Sequence, residues 1–132
     1  THKNLIVKKW VNLNEFQSIL SLADVLLVSL NKDAGEFSVP SKILNYFYSG
    51  KPILGMMPKQ NLASKKIIGL KAGYIVEPGH FDVFLNKAIK LYKNKSIRKK
   101  MGLNAFNYTK KHFNIKTITT KFEKILKKVK LN

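Results

Sequence analysis

The stretch DVLLVSL, Asp24–Leu30, decides how the rest of the chain is read. Val25, Leu26, Leu27, Val28 and Leu30 leave it no polar face and no helical period. It is too short for a buried helix, and its β-branched, uninterrupted character is that of a strand buried on both faces of a sheet. Working outward, NLIVKKWV before it reads as a first strand, and NEFQSILSLA as a helix capped by Asn14, with Phe16, Ile19, Leu20 and Leu22 on one face. After it come a polar loop (Asn31–Pro40), a helix (SKILNYFYS), a strand (KPILGMM) and a helix (NLASKKIIGLKAG) ending near Gly69 or Gly73. A strand (YIVE) follows, then a helix over HFDVFLNKAIKLYKN with Phe81, Phe84, Leu85, Ala88, Ile89 and Tyr92 at helical steps, and two further helices to Lys130. Strands alternating with helices predict βαβ units, right-handed crossovers and an α/β fold: a parallel sheet flanked by helices. The last three helices have no strand after them and are expected to close over the sheet with their lysines outward. Trp10, Tyr46, Phe47 and Tyr48 are core candidates, and Phe37 is either a packed anchor of its loop or a lid.

A length of 132 residues suits a single domain spanning 1–132, and 45% hydrophobic residues are enough for a real core. With no Cys, disulfides and Cys-based metal sites are excluded. No apolar run is long enough to span a bilayer, and THKNLIVKKWV is broken by Lys8 and Lys9 where a signal peptide would be continuous. The chain opens directly at its first strand, so it is expected to be part of a larger protein.

Charge is the dominant compositional feature, with 25 Lys and Arg against 7 acids. From Lys87 onward there are fifteen bases and one acid, Glu123. Such a surface is either a solvated face or an attraction for an anionic partner, an acidic membrane surface or nucleic acid. Only Arg98 among the bases is Arg, and base reading and bidentate phosphate gripping lean on Arg. Scarce Arg and an expectation of few exposed aromatics argue against nucleic acid.

The loop Asn31–Pro40 leaves the carboxyl end of the Asp24–Leu30 strand, where doubly wound sheets bind ligands, and feeds a helix N-terminus. Pro40 suits the start of a helix and Ser41 its first positions. Lys42 adds positive charge where the helix end is already positive, which costs about 0.3–1 kcal/mol unless an anion is bound. Two readings stand side by side: a phosphate site, or an ordinary helix start carrying a lysine. Glu36 likewise is either a solvated loop acid or an acceptor for sugar hydroxyls. The sequence holds no Gly-x-Gly-x-x-Gly or Walker pattern and no metal-ligand spacing; His2, His80 and His112 are far apart, and Ser29, Ser38 and Ser41 lack a nucleophile-elbow context. Asp24, just ahead of the apolar run, is expected to act on folding alone.

The stretch LADVLLVSL…GEFSVPSKILNYFYSGKPIL resembles the C-terminal half of GT-B glycosyltransferases of family 4, the group 1 type, and is closest in style to the bacterial surface-polysaccharide branch. AGYIVEPGHFDVFLNKAIKLYKNKSIRKKMGLNAFNYTKKHFN is similar to the turn, long helix and closing helices of the same family, so the likeness runs from about Asn12 to Leu126. The resemblance implies a Rossmann-like donor-binding domain with extra C-terminal helices. It assigns Glu36, Phe37 and Ser38 to the donor sugar, Ser41 and Lys42 to the diphosphate, Asn45 to the ribose, and Val11 and Asn12 to the base edge. Where the family has a second Glu for the ribose, this chain has Asn45, one residue further along, which can still hydrogen-bond but without charge. The family's basic pair for the leaving diphosphate has no match.

The implied activity is retaining transfer of a sugar from a nucleotide-diphosphate sugar, UDP-linked by expectation, to a lipid-linked or polysaccharide acceptor, with no metal and no other cofactor. Capsule, lipopolysaccharide or glycoprotein glycan assembly at the cytoplasmic, inner face of a bacterial membrane is the implied setting. An N-terminal GT-B domain would complete the cleft, so this chain alone should bind donor and not turn over. The rival readings are a basic module binding nucleic acid or a membrane surface, and a non-catalytic remnant of the fold.

Overall fold

Asn12, not Asn14, starts the first helix. Its backbone is extended (φ −73°, ψ 169°) and its side-chain oxygen accepts from the Glu15 N–H at 2.9 Å, satisfying a donor the helix leaves open. That is one of several details fixed by the computed structural model, which describes residues 3–129. Among those residues the order is α1 (Leu13–Leu22), β1 (Leu26–Ser29), α2 (Lys42–Tyr48), β2 (Ile53–Met56), α3 (Leu62–Gly69), β3 (Gly73–Val76), α4 (Phe81–Lys93), α5 (Lys95–His112) and α6 (Ile115–Val129). His2 and Lys130 lie outside the described residues.

The three strands form one parallel sheet in the order β1-β2-β3, with Leu26 opposite Ile53 and Ile53 opposite Gly73. The chain is α/β, a small parallel sheet flanked by helices, as the alternation of patterns requires. The expected first strand is not formed: Leu5–Val11 carries no strand, and Ile6, Val7 and Trp10 are 85%, 78% and 94% exposed. Three apolar residues followed by Lys8 and Lys9 give too short a run to hold a sheet position.

This moves the centre of the sheet. β2, not β1, is the enclosed strand: Ile53, Leu54 and Gly55 are all buried. β1 is an edge among the described residues and alternates, with Leu26 and Val28 in and Leu27 and Ser29 out. The Leu27 carbonyl accepts from the Tyr46 hydroxyl of α2 at 3.2 Å. Burial pushes the Tyr46 pKa above its ordinary value of 10.0.

The core gathers Val28, Ile43, Phe47, Ile53, Met57 and Ile67 between sheet and helices. Phe47 is 1% exposed and meets Tyr108 of α5 edge to face at 5.9 Å. Its truncation to Ala would cost about 3–5 kcal/mol. Tyr46 joins this core in part, whereas Trp10 and Tyr48, the other expected core aromatics, are exposed. α2 ends at Gly50, whose φ of +67° is a left-handed value that glycine adopts without strain. The turn lets α5 come close: a Cβ built on Gly102 would stand 1.9 Å from the Gly50 carbonyl oxygen.

α4 buries Leu91, but Phe81, Leu85, Ile89 and Tyr92 are exposed, so the expected apolar face is turned only partly inward. Arg98 joins α4 to α5 by donating to the last α4 carbonyls, Leu91 at 2.6 Å and Tyr92 at 2.9 Å. It also pairs with Asp24 at 3.3 Å. Asp24 is 82% exposed and meets the chain as a surface partner of Arg98. The lysines of α5 and α6 are exposed where described, as expected, but α6 does not close over the sheet: every described side chain on it is exposed. No helix among the described residues is long and apolar enough to cross a membrane.

Candidate functional site

The carboxyl ends of three parallel strands release three loops on one side of the sheet, and hydrogen bonds tie these loops together. The loop after β1 turns at Gly35–Ser38, with the Ser38 N–H donating to the Gly35 carbonyl at 3.1 Å. Asn61, in the loop after β2, is fully buried. Its side-chain amide donates to the carbonyls of Gly35 at 3.1 Å and Ser38 at 3.0 Å, bracing both ends of that turn. Its oxygen accepts from the Ala63 N–H at 2.9 Å and caps α3. The Leu62 N–H adds a bond to the Glu36 carbonyl at 2.9 Å. Across the sheet, the Glu77 carboxylate accepts from the Lys59 N–H at 2.9 Å, joining the loops after β2 and β3.

On this pinned backbone the side chains point outward. Phe37 is 80% exposed, so the packed-anchor reading fails. Ser38, Ser41 and Lys42 are exposed as well. Ser41 stands at the N-cap position of α2 with helical dihedrals (φ −55°, ψ −30°), and its hydroxyl makes no cap bond. Glu36 is not simply solvated: its carboxylate pairs with the Lys65 ammonium of α3, both side chains about half exposed at 43% and 53%. A pair that open to water contributes about 0–1 kcal/mol, so an incoming group can displace it at little cost.

Lys42 and Asn45 are three residues apart on α2, on the face turned from the buried Ile43 and Phe47. Asn45 lines a cleft of about 330 Å³ between α1 and α2, with Leu13, Phe16, Gln17 and Tyr48. Val11 lines an adjoining shallow cleft of about 430 Å³ that shares Leu13 and Phe16. Val11 and Asn45 are therefore brought to neighbouring clefts along α1. Asn12 is committed to capping α1 through its side chain, which removes that oxygen from a base-reading role.

Sequence reasoning missed Asn61 and Lys65. An Asn before a helix signals a cap, but the second duty of Asn61, bracing a turn 23 to 26 residues upstream, is a long-range contact that no local pattern announces. Among the described residues no group of three or more His, Asp or Glu is placed to hold a metal ion. No family model matches the chain, and no curated protein or solved structure matches it.

Proposed function

We propose that this chain is a Rossmann-like domain, the donor-nucleotide-binding half of a retaining GT-B glycosyltransferase. The whole protein would move a sugar from a UDP-linked or similar donor to a lipid-linked or glycan acceptor, as a peripheral protein at the inner face of a bacterial membrane. The observation that carries the reading is the braced turn. Asn61 fixes the Gly35–Ser38 backbone at the carboxyl edge of the sheet, while Phe37, Ser38, Ser41 and Lys42 stay exposed. A loop braced in its backbone, with these side chains open to solvent and Glu36 held only by a half-exposed ion pair, has met part of the ordering cost of binding in advance.

In this reading Lys42 meets the diphosphate as a point charge, helped by the Ser41 hydroxyl. The Asn45 amide takes a ribose hydroxyl, and the Val11 cleft takes the base. Glu36 leaves Lys65 and accepts from sugar hydroxyls, and Lys65, released from its carboxylate, adds a second positive charge beside the donor. Balancing charge on the leaving diphosphate is the main catalytic demand of such a transfer, and two lysines meet it only in part. A second domain is expected to supply the rest and to close the cleft.

Calorimetric titration with UDP tests this. Lys42→Ala should weaken binding roughly fivefold or more and leave the melting temperature unchanged, because Lys42 is exposed. Unchanged binding with a lowered melting temperature would make Lys42 structural and remove the proposal's main cation.

One observation favours a second reading. Exposed aromatics are not few: Trp10, Phe37, Tyr92 and Phe122 stand out from a basic surface, a combination that suits single-stranded nucleic acid. Against it, Arg98 is spent on two α4 carbonyls and Asp24. Strongly salt-dependent binding of an oligonucleotide by α4–α6, with no response to UDP, would favour it.

A further inference from the structure

Among the described residues α6 has no tertiary cover for its apolar side. Ile115, Ile118, Phe122, Ile125 and Leu126 recur at helical steps and fall within an arc of about 100°. All five are exposed, Ile115 by 80%, Phe122 by 63% and Leu126 by 61%. Lys121 borders this stripe on one side, Glu123 and Lys116 stand together on the other, and Lys124 and Lys127 occupy the opposite face. Across α5 and α6 there are eleven bases and one acid, Glu123. A helix that is apolar along one line and elsewhere carries five lysines against the single acid Glu123 suits an occupant that is apolar within and negative at its rim. An anionic bilayer presents those two layers in that order.

We infer that α6 lies in the plane of an anionic membrane surface, with Phe122, Ile125 and Leu126 in the headgroup–acyl boundary and its lysines among the lipid headgroups. The placement has a consequence for the candidate site. α6 starts just after Phe113, and Phe113 lines one groove with Val39, Ile43 and Leu62, which belong to the carboxyl-edge loop and to the helices that begin there. Docking α6 thus brings the braced loop to the membrane, where a lipid-linked acceptor would be found. The inference rests on and deepens the membrane placement in the proposed function, and its test is separate from that of the donor site, since membrane binding is read with no nucleotide present.

The test is co-sedimentation of the full chain with vesicles of phosphatidylcholine containing about one-third phosphatidylglycerol, and with pure phosphatidylcholine. The wild type should partition to the anionic vesicles and only weakly to the neutral ones. Phe122→Ser with Leu126→Ser should reduce partitioning roughly tenfold at unchanged melting temperature. Lys116→Glu with Lys121→Glu should also reduce it and flatten its dependence on salt. If the stripe variant binds as the wild type does, attraction is charge alone and α6 does not insert. If the wild type ignores anionic vesicles but forms a dimer that the stripe variant loses, the stripe is a protein interface; either result overturns the inference.

Discussion

α5 and α6 are neighbours in sequence, both rich in lysine, and they meet opposite fates. α5 packs through small residues: Gly102, Ala105 and Thr109 are its buried positions, three and four apart. Gly102 sits against the Gly50 carbonyl so closely that no side chain fits between, and Thr109 returns its hydroxyl to the Ala105 carbonyl at 2.8 Å. α6 carries the larger and better aligned apolar side chains, yet leaves them exposed. Apolar periodicity states which face needs cover. Small residues and a carbonyl at the right height decide which helix obtains it inside the domain.

The comparison is easiest to break at Gly102. Gly102→Ala places a methyl group on the Gly50 carbonyl and should cost about 3 kcal/mol or more in chemical denaturation; a loss under about 1 kcal/mol would mean α5 is not clamped there. Asn61→Ala extends the same packing rule to the loop. It strips partners from the Gly35 and Ser38 carbonyls and from the Ala63 N–H, and should cost about 2–4 kcal/mol with faster amide exchange across Gly35–Val39. Stability unchanged together with slow exchange would show that the turn holds itself. On α6, Phe122→Ser with Leu126→Ser should shift stability in the absence of lipid by no more than about 0.5 kcal/mol; a large loss would reveal a solution partner for the stripe within the chain.

The smallest expected effect is at the edge of β1. Tyr46 has its pKa raised by burial, so the folded state keeps a proton that the unfolded state releases. Its contribution to stability is therefore complete below pH 10.0 and declines as pH rises above that value towards the raised folded pKa. Tyr46→Phe should lose a share of the alkaline destabilisation that the wild type shows above pH 10.0, measured as the difference between the two melting curves. Identical pH profiles for the two proteins would place that hydroxyl in water.

Much of the fold is legible in the sequence because the relevant signals are local. The apolar runs around Val28, Leu54 and Ile75, the helical periods between them and the turn at Gly50 suffice for the class, the parallel sheet and the order of elements. Three features depend on what lies alongside and are not legible. Leu5–Val7 resembles a strand but has no position in the sheet among the described residues. The Val25–Val28 run is apolar throughout, yet its strand β1 has one open face, on which Leu27 and Ser29 are exposed. Phe81, Leu85 and Tyr92 align on α4, but the helix buries Leu91 on another face and leaves these three exposed. The candidate site divides in the same way. Glu36, Ser41 and Lys42 could be named from loop position and helix chemistry, whereas Asn45 comes from the family resemblance alone. Asn61 and Lys65, which hold the loop and its carboxylate, reach it across more than twenty residues of chain.

The central claim is that the braced loop at the carboxyl edge takes a nucleotide diphosphate, and an amide chemical-shift titration of this chain tests it most directly. UDP, GDP and a short DNA duplex would each be added at low and moderate salt. The account predicts shifts for a nucleotide diphosphate in Glu36–Asn45 and around Val11–Leu13, with the preferred base naming the donor class. Shifts from DNA alone, confined to the basic helices from Lys87 to Val129, would contradict it and make the charged surface the working part of the molecule.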